Sequence, residues 1–110
     1  MDPEEFVVVL VTTASVEEAV RIGRALVELR LAACANVLGP IASIYRWQGA
    51  VEEAAEHLLL LKARARDLTA LEAAVRARHG YEVPEVLAVP VCGGSAAYLA
   101  WLADSTTRDG

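Results

Sequence analysis

Two side chains in this sequence, His79 and Cys34, are of the types that bind transition metals. A neutral imidazole and a thiolate suit copper better than they suit calcium or magnesium. Each residue also has a structural explanation, because a histidine is stabilised at the negative end of its own helix and an isolated cysteine packs as a small apolar side chain. The residue types therefore leave two hypotheses open: a copper site that uses His79 and Cys34, or two structural side chains.

Lys62, on the third predicted strand, is a further candidate for a binding site. Lys62 is the only lysine and shares one face of a predicted strand with Glu56, so it either forms an internal ion pair or meets an anionic ligand. An acidic cluster at the start of that strand either holds a hard cation or forms a solvated face, and it consists of Glu52, Glu53 and Glu56. Both interpretations of each group stay open at this stage.

Composition and motif content exclude several classes of function. The formal net charge is −5, whereas binding to nucleic acids or to anionic membranes requires an excess of lysine and arginine. No segment approaches the ~20 apolar residues of a membrane-spanning helix. No nucleophile–base pair or paired carboxylates stand out, so we expect no enzyme and no organic cofactor. Cys34 and Cys92 lie far apart and the N-terminus lacks a basic, apolar signal sequence, which predicts a cytoplasmic protein with reduced thiols.

The elements that position these side chains are predicted in the order β-α-β-β-α-β, followed by a further helix. The pattern of apolar residues and caps places strands over 6–12, 33–47, 51–64 and 86–91, and helices from Ser15 to near Arg30, from Asp67 to near His79, and after Ser95. This order is that of a ferredoxin-like α+β sandwich with an extra C-terminal helix. We expect one domain that spans residues 1–110.

The strand order of this fold agrees with the positions of the prolines. Pro40 and Pro90 fall in the second and fourth strands, which are the edge strands of a ferredoxin-like sheet and the places where proline is tolerated. Gly39-Pro40 predicts a bulge, and Gln48-Gly49 predicts a tight hairpin turn. The second and third strands are longer than two helices can cover, so we expect neighbouring subunits to cover the sheet edges.

Four stretches of the chain resemble the CutA divalent-ion tolerance family. They are 31–37 (LAACANV), 43–49 (SIYRWQG), 51–62 with its LLLLK run, and 79–85 (HGYEVPE) followed by YLAWL at 98–102. The resemblance runs over about 6–104 and implies a ferredoxin-like homotrimer related in architecture to the PII signalling trimers. It also implies a role in tolerance to copper and other divalent metals, with copper binding attributed to the family.

The resemblance has departures at three positions. Gly80 stands where the family often has proline, Val11 where some members have a cysteine, and Arg78 where some have a second histidine. We therefore expect a trimeric, cytoplasmic metal-tolerance protein whose copper ligands are first His79 and second Cys34. The alternative is a PII-like trimer that binds a small anion or metabolite in an intersubunit cleft lined by Lys62, Tyr81 and Glu82.

Overall fold

The predicted order of elements is present in the computed structural model, which describes residues 5–108. The strands are Phe6–Thr13 (β1), Cys34–Trp47 (β2), Ala50–Arg64 (β3) and Leu87–Pro90 (β4), and the helices are Val16–Glu28 (α1), Leu68–Arg76 (α2) and Ala96–Ser105 (α3). All strand pairs are antiparallel, in the order β2-β3-β1-β4. The ferredoxin-like arrangement is confirmed, with Pro40 and Pro90 in the two edge strands.

The main core lies between the sheet and the helices α1 and α2. Alternate side chains of β1 and β3 point to this face, and Val9, Val11, Leu59 and Leu61 are fully buried there. A smaller cluster forms on the opposite face, where α3 packs over Phe6 at one end of the sheet. Both faces of β1 are apolar, which gives the continuous apolar run in the sequence, although Val8 and Leu10 are only partly buried.

Helix α1 begins at its N-cap Ser15, as predicted, and the side chains of Ser15 and Glu18 cap it. The Ser15 hydroxyl accepts a 3.1 Å hydrogen bond from the Glu18 N–H, and the Glu18 side chain accepts one of 3.2 Å from the Ala14 N–H. The helix ends at Glu28, two residues before the predicted end. The cause is Arg30, which adopts a left-handed conformation with φ +59° and turns the chain towards β2.

Helix α2 has the predicted N-cap residue, Asp67, but it ends earlier than predicted. It ends at Arg76 instead of near His79, and residues 77 and 78 continue as a tightened turn. Asp67 occupies the N-cap position, but its side chain makes no capping hydrogen bond. Its carboxylate instead accepts two hydrogen bonds of 2.7 and 3.2 Å from the Arg108 guanidinium, so a contact distant in sequence replaces the local cap.

The predicted bulge at Gly39-Pro40 is present, and it changes which side chains share a face. Leu38 pairs with Leu58, but the next pair is Ile41 with Glu56, so β2 carries one extra residue. An extra residue moves every later side chain of the strand to the opposite face. Beyond the bulge, residues 41–56 form a two-stranded ribbon. The molecule measures 44 × 27 × 21 Å along its principal axes.

The face of the sheet opposite α1 and α2 carries a patch of aliphatic side chains. The pairing register places these side chains together, and α3 covers only the end of the face at Phe6. We call this patch the open face; its residues are Val8, Leu10, Leu58, Leu60, Leu87 and Val89. Leu87 is 61% exposed and Val89 is 51% exposed. An apolar sheet face of this kind is typical of a surface that a further protein layer covers.

Candidate functional site

A cleft of about 610 Å³ lies between the ribbon and the loop 77–86, which joins α2 to β4. We call it the acidic cleft; its lining residues are Thr12, Ser43, Ile44, Tyr45, Trp47, Glu56, Gly80, Tyr81, Glu82, Val83 and Glu85. Its volume lies within the range of small-ligand sites, roughly 300–1,000 Å³.

The bulge in β2 brings the two aromatic side chains of the ribbon into this cleft. Tyr45 pairs with Glu52 on β3, and Glu52 shares its face with Glu56. Without the extra residue, Tyr45 and Trp47 would point to the other side of the ribbon, away from Glu56. The pairing register places Ser43, Tyr45 and Trp47 on this side of the ribbon, and all three line the cleft.

The other wall of the cleft is anchored by His79, whose side chain is fully buried. Its Nε2 lies 2.8 Å from the Thr12 carbonyl oxygen, and its Nδ1 accepts a 3.0 Å hydrogen bond from the Tyr81 N–H. The carbonyl requires a donor and the N–H requires an acceptor, so the two partners assign the neutral tautomer with hydrogen on Nε2. Glu18 adds a further anchor by accepting a 2.7 Å hydrogen bond from the Gly80 N–H.

At the floor of the cleft, the Tyr81 hydroxyl donates a 2.7 Å hydrogen bond to Oε2 of Glu56. Burial raises the pKa of Tyr81, and the hydrogen bond and negative charge of Glu56 raise it further. Glu56 is only 7% exposed. In the described part of the chain, no lysine, arginine or histidine forms an ion pair with it, and its Oε1 has no hydrogen-bond partner.

The charge of the cleft has one sign. Three carboxylates line it, from Glu56, Glu82 and Glu85, and none of the described lining residues is basic. A buried carboxylate is costly unless a countercharge or several hydrogen bonds compensate it. The arrangement therefore favours a cation and disfavours an anion.

The structure separates the residues that the sequence grouped into a ligand cleft. Tyr81 and Glu82 line the acidic cleft, but Lys62 does not. Lys62 lies six residues beyond Glu56 on β3, a distance of about 20 Å along the strand. Its ammonium group instead hydrogen-bonds Oδ1 of Asn36 and lies 3.8 Å from Sγ of Cys34.

His79 and Cys34, the two predicted copper ligands, lie at different places on the sheet. Cys34 pairs with Lys62, which in turn pairs with Val8 of β1, whereas His79 contacts Thr12. Four residues of strand separate Val8 from Thr12, about 13 Å. Across residues 5–108, no group of three or more histidine, cysteine, aspartate or glutamate residues is arranged to hold a metal ion.

Among the residues of the acidic cleft, Tyr45, Trp47 and Glu85 were not assigned to a site from the sequence. Glu56 was assigned to an acidic cluster with two open interpretations, a hard-cation site or a solvated face. The signal that would have found them is the bulge, because one extra residue before Ile41 puts Tyr45 and Glu56 on the same face.

The topology is that of an α+β protein with a ferredoxin-like fold, extended by a long β2–β3 ribbon and a C-terminal helix. The family model described as CutA1 divalent ion tolerance protein matches residues 7–105. The chain therefore belongs to the CutA1 divalent ion tolerance family, and the predicted resemblance is confirmed.

Relatives from distant organisms share this fold and sequence. The divalent-cation tolerance protein CutA of Thermus thermophilus is 48% identical, over 90% of this chain and 96% of the relative. A solved structure of the Cut A1 protein from that organism superposes with a TM-score of 0.90 and 47% identity, and covers 93% of this chain and 99% of that one. A chloroplastic CutA of Oryza sativa is 44% identical over 91% of this chain and 56% of the relative.

The names of these relatives denote cation tolerance and not an enzyme activity. They also include different compartments, since one is chloroplastic and a solved relative from Archaeoglobus fulgidus, 33% identical with a TM-score of 0.90, is named as periplasmic. Among the described residues, no helix is long and apolar enough to cross a membrane.

Proposed function

We propose that this protein is a non-catalytic cation-binding protein of divalent-metal tolerance, and that it takes up copper or another divalent cation at the acidic cleft. The observation that carries the proposal is the Glu56 carboxylate, which is 7% exposed and has no cationic partner in the described chain. A cation in the cleft supplies the missing countercharge. Glu82 and Glu85 add two further carboxylates.

The copper site formed by His79 and Cys34 stays a prediction. Metal binding would have to replace contacts that these side chains make in the structure. Both ring nitrogens of His79 are engaged, so metal binding there requires the loss of the contact with Thr12 or with the Tyr81 N–H. Cys34 is free and partly exposed, and its thiol lies beside Lys62. Within a single chain, a metal ion would therefore be bound by His79 or by Cys34, but not by both.

We further propose that the protein acts as a homotrimer. The open face and the edge strands β2 and β4 support self-association, because exposed sheet edges and apolar faces are normally covered in stable proteins. The number three comes from the resemblance to the family. A shared interface also offers a way to complete a metal site, since ligands from two subunits add up. A monomer in light scattering at micromolar concentration would refute the assembly.

The alternative of a PII-like trimer that binds a small molecule retains one supporting observation, which is the size of the cleft. The three carboxylates disfavour the anion that this hypothesis names. The remaining candidates are neutral or cationic metabolites.

We propose that the protein is located in the cytoplasm, where its two free cysteines remain reduced. Fractionation of cells with an antibody to the protein tests this location.

Titration with Cu(II), Cu(I) and Zn(II) in a calorimeter tests the proposed cation site. Glu56→Gln removes the buried charge and keeps its shape, and Glu53→Gln is the matched control because Glu53 is exposed on the same strand and does not line the cleft. Saturable binding that Glu56→Gln weakens and Glu53→Gln does not supports the proposal. If binding is lost only in His79→Ala or Cys34→Ala, the metal site lies at those residues and not in the acidic cleft. The absence of saturable binding overturns the proposal.

A further inference from the structure

We propose that the acidic cleft also binds an alkylated ammonium group, held between the aromatic side chains of Tyr45, Trp47 and Tyr81 above the carboxylate of Glu56. The proposal rests on the cation preference of the cleft but not on divalent-metal binding. It names a different class of ligand, an organic monovalent cation.

The aromatic content of the cleft is the first observation. Three of the six aromatic residues in the chain line it, and Tyr45, Trp47 and Tyr81 are 43%, 48% and 37% exposed. The faces of aromatic rings attract cations, and an alkylated ammonium is the ligand that several such rings recognise.

The second observation is what the cleft lacks for a metal. A divalent metal needs several oxygen, nitrogen or sulfur ligands at close range, and residues 5–108 of one chain contain no such cluster of histidine, cysteine, aspartate and glutamate, so a metal in the cleft requires further ligands from a second subunit. An alkylated ammonium spreads its charge over its methyl groups and needs no inner ligands. One buried carboxylate and a wall of rings are sufficient for it, and one chain supplies both.

The third observation is that the cleft is held in shape before a ligand arrives. Tyr81 is fixed at both ends, because its N–H donates to His79 and its hydroxyl donates to Glu56. Its ring also lies 4.7 Å from the His79 ring, centroid to centroid. A fixed ring loses little freedom on binding, which favours affinity.

The test compares choline with 3,3-dimethylbutan-1-ol, a neutral molecule of the same shape, by the fluorescence of Trp47. Trp101→Phe removes the other tryptophan, which lies outside the acidic cleft, and serves as the background for all variants. We expect saturable binding of choline, with the neutral alcohol at least about tenfold weaker. Equal binding of the two molecules, or no binding of choline, overturns the proposal.

A graded series of side chains identifies the surface responsible, with binding followed by calorimetry. Trp47→Phe should weaken choline binding less than Trp47→Leu, and Glu56→Gln should weaken it about tenfold. Trp47 is half exposed, so these changes leave the fold intact. Trp47→Leu should leave metal titrations unchanged, which separates this proposal from the preceding one. Choline binding that survives both Trp47→Leu and Glu56→Gln refutes it.

Discussion

The hydroxyl of Tyr81 and the carboxylate of Glu56 are joined by a 2.7 Å hydrogen bond, although 25 residues separate them in the chain. This contact connects the loop 77–86 to strand β3 and forms the floor of the acidic cleft. It also provides the one hydrogen bond that the buried Glu56 carboxylate receives from the described side chains. The pair is therefore both a structural clamp and the centre of the proposed site.

Removal of this hydroxyl should destabilise the protein. Tyr81→Phe leaves Glu56 buried without its donor, which should lower the free energy of unfolding by about 1–2 kcal/mol. Urea denaturation followed by circular dichroism measures the change. The matched control is Tyr98→Phe, since the hydroxyl of Tyr98 on α3 makes no hydrogen bond within residues 5–108. Equal losses in the two variants would show that the contact with Glu56 contributes nothing.

The same pair predicts how stability depends on pH in the alkaline range. Tyrosine in an unfolded chain has a pKa of about 10, and burial together with Glu56 raises the pKa of Tyr81 in the folded protein. The stabilisation is therefore complete below pH of about 10 and is lost as the pH rises further, because the unfolded chain releases this proton first. Unfolding measured from pH 8 to 11 should decline more steeply in the wild-type protein than in Tyr81→Phe. Parallel curves would contradict this.

The bulge in β2 should be sensitive to the loss of a single glycine. Gly39 has φ +146°, and a Cβ there would lie 2.7 Å from Cδ2 of His57 and 3.1 Å from the carbonyl oxygen of Glu56. Gly39→Ala should therefore lower stability by about 1–3 kcal/mol and disturb the cleft beside Glu56. Thermal unfolding measures the loss. Gly93→Ala is the control, because a Cβ there meets nothing within 4 Å.

The sequence was sufficient for the elements whose signals are local. Ser15 marked the start of α1, Gly39-Pro40 marked the bulge, and Pro40 and Pro90 marked the edge strands. These features depend on backbone geometry within a few residues, which the residue types themselves encode. These local signals were therefore sufficient to predict the fold class and the strand order.

The contacts of the candidate site could not be predicted in the same way, because their partners are distant in sequence. No sequence signal near Lys62 indicates that its ammonium group contacts Asn36 and Cys34 and lies outside the acidic cleft. Nothing near Tyr81 identifies Glu56 as its partner. The burial of His79 likewise depends on the docking of the loop 77–86 against β1, which only the assembled fold determines.

The pair formed by Asp67 and Arg108 gives a last prediction, on how the C-terminal segment is held. Asp67 is 6% exposed and receives two hydrogen bonds from the Arg108 guanidinium, which also donates to the Arg30 carbonyl oxygen. Arg108→Ala removes the countercharge of a buried carboxylate and should be destabilising, although 41% exposure of Arg108 moderates the effect through solvent screening.

A double-mutant cycle isolates this contact. Asp67→Asn and Arg108→Ala are each measured by urea denaturation, and then together. If the carboxylate needs the guanidinium, Arg108→Ala should cost clearly less stability in the Asp67→Asn background than in the wild-type protein, because the buried charge is already gone. Arg76→Ala is the control, since its ion pair with Glu72 on the surface of α2 is exposed on both sides and should change stability little. Additive losses for Asp67 and Arg108 would mean that the C-terminal segment is held by other contacts.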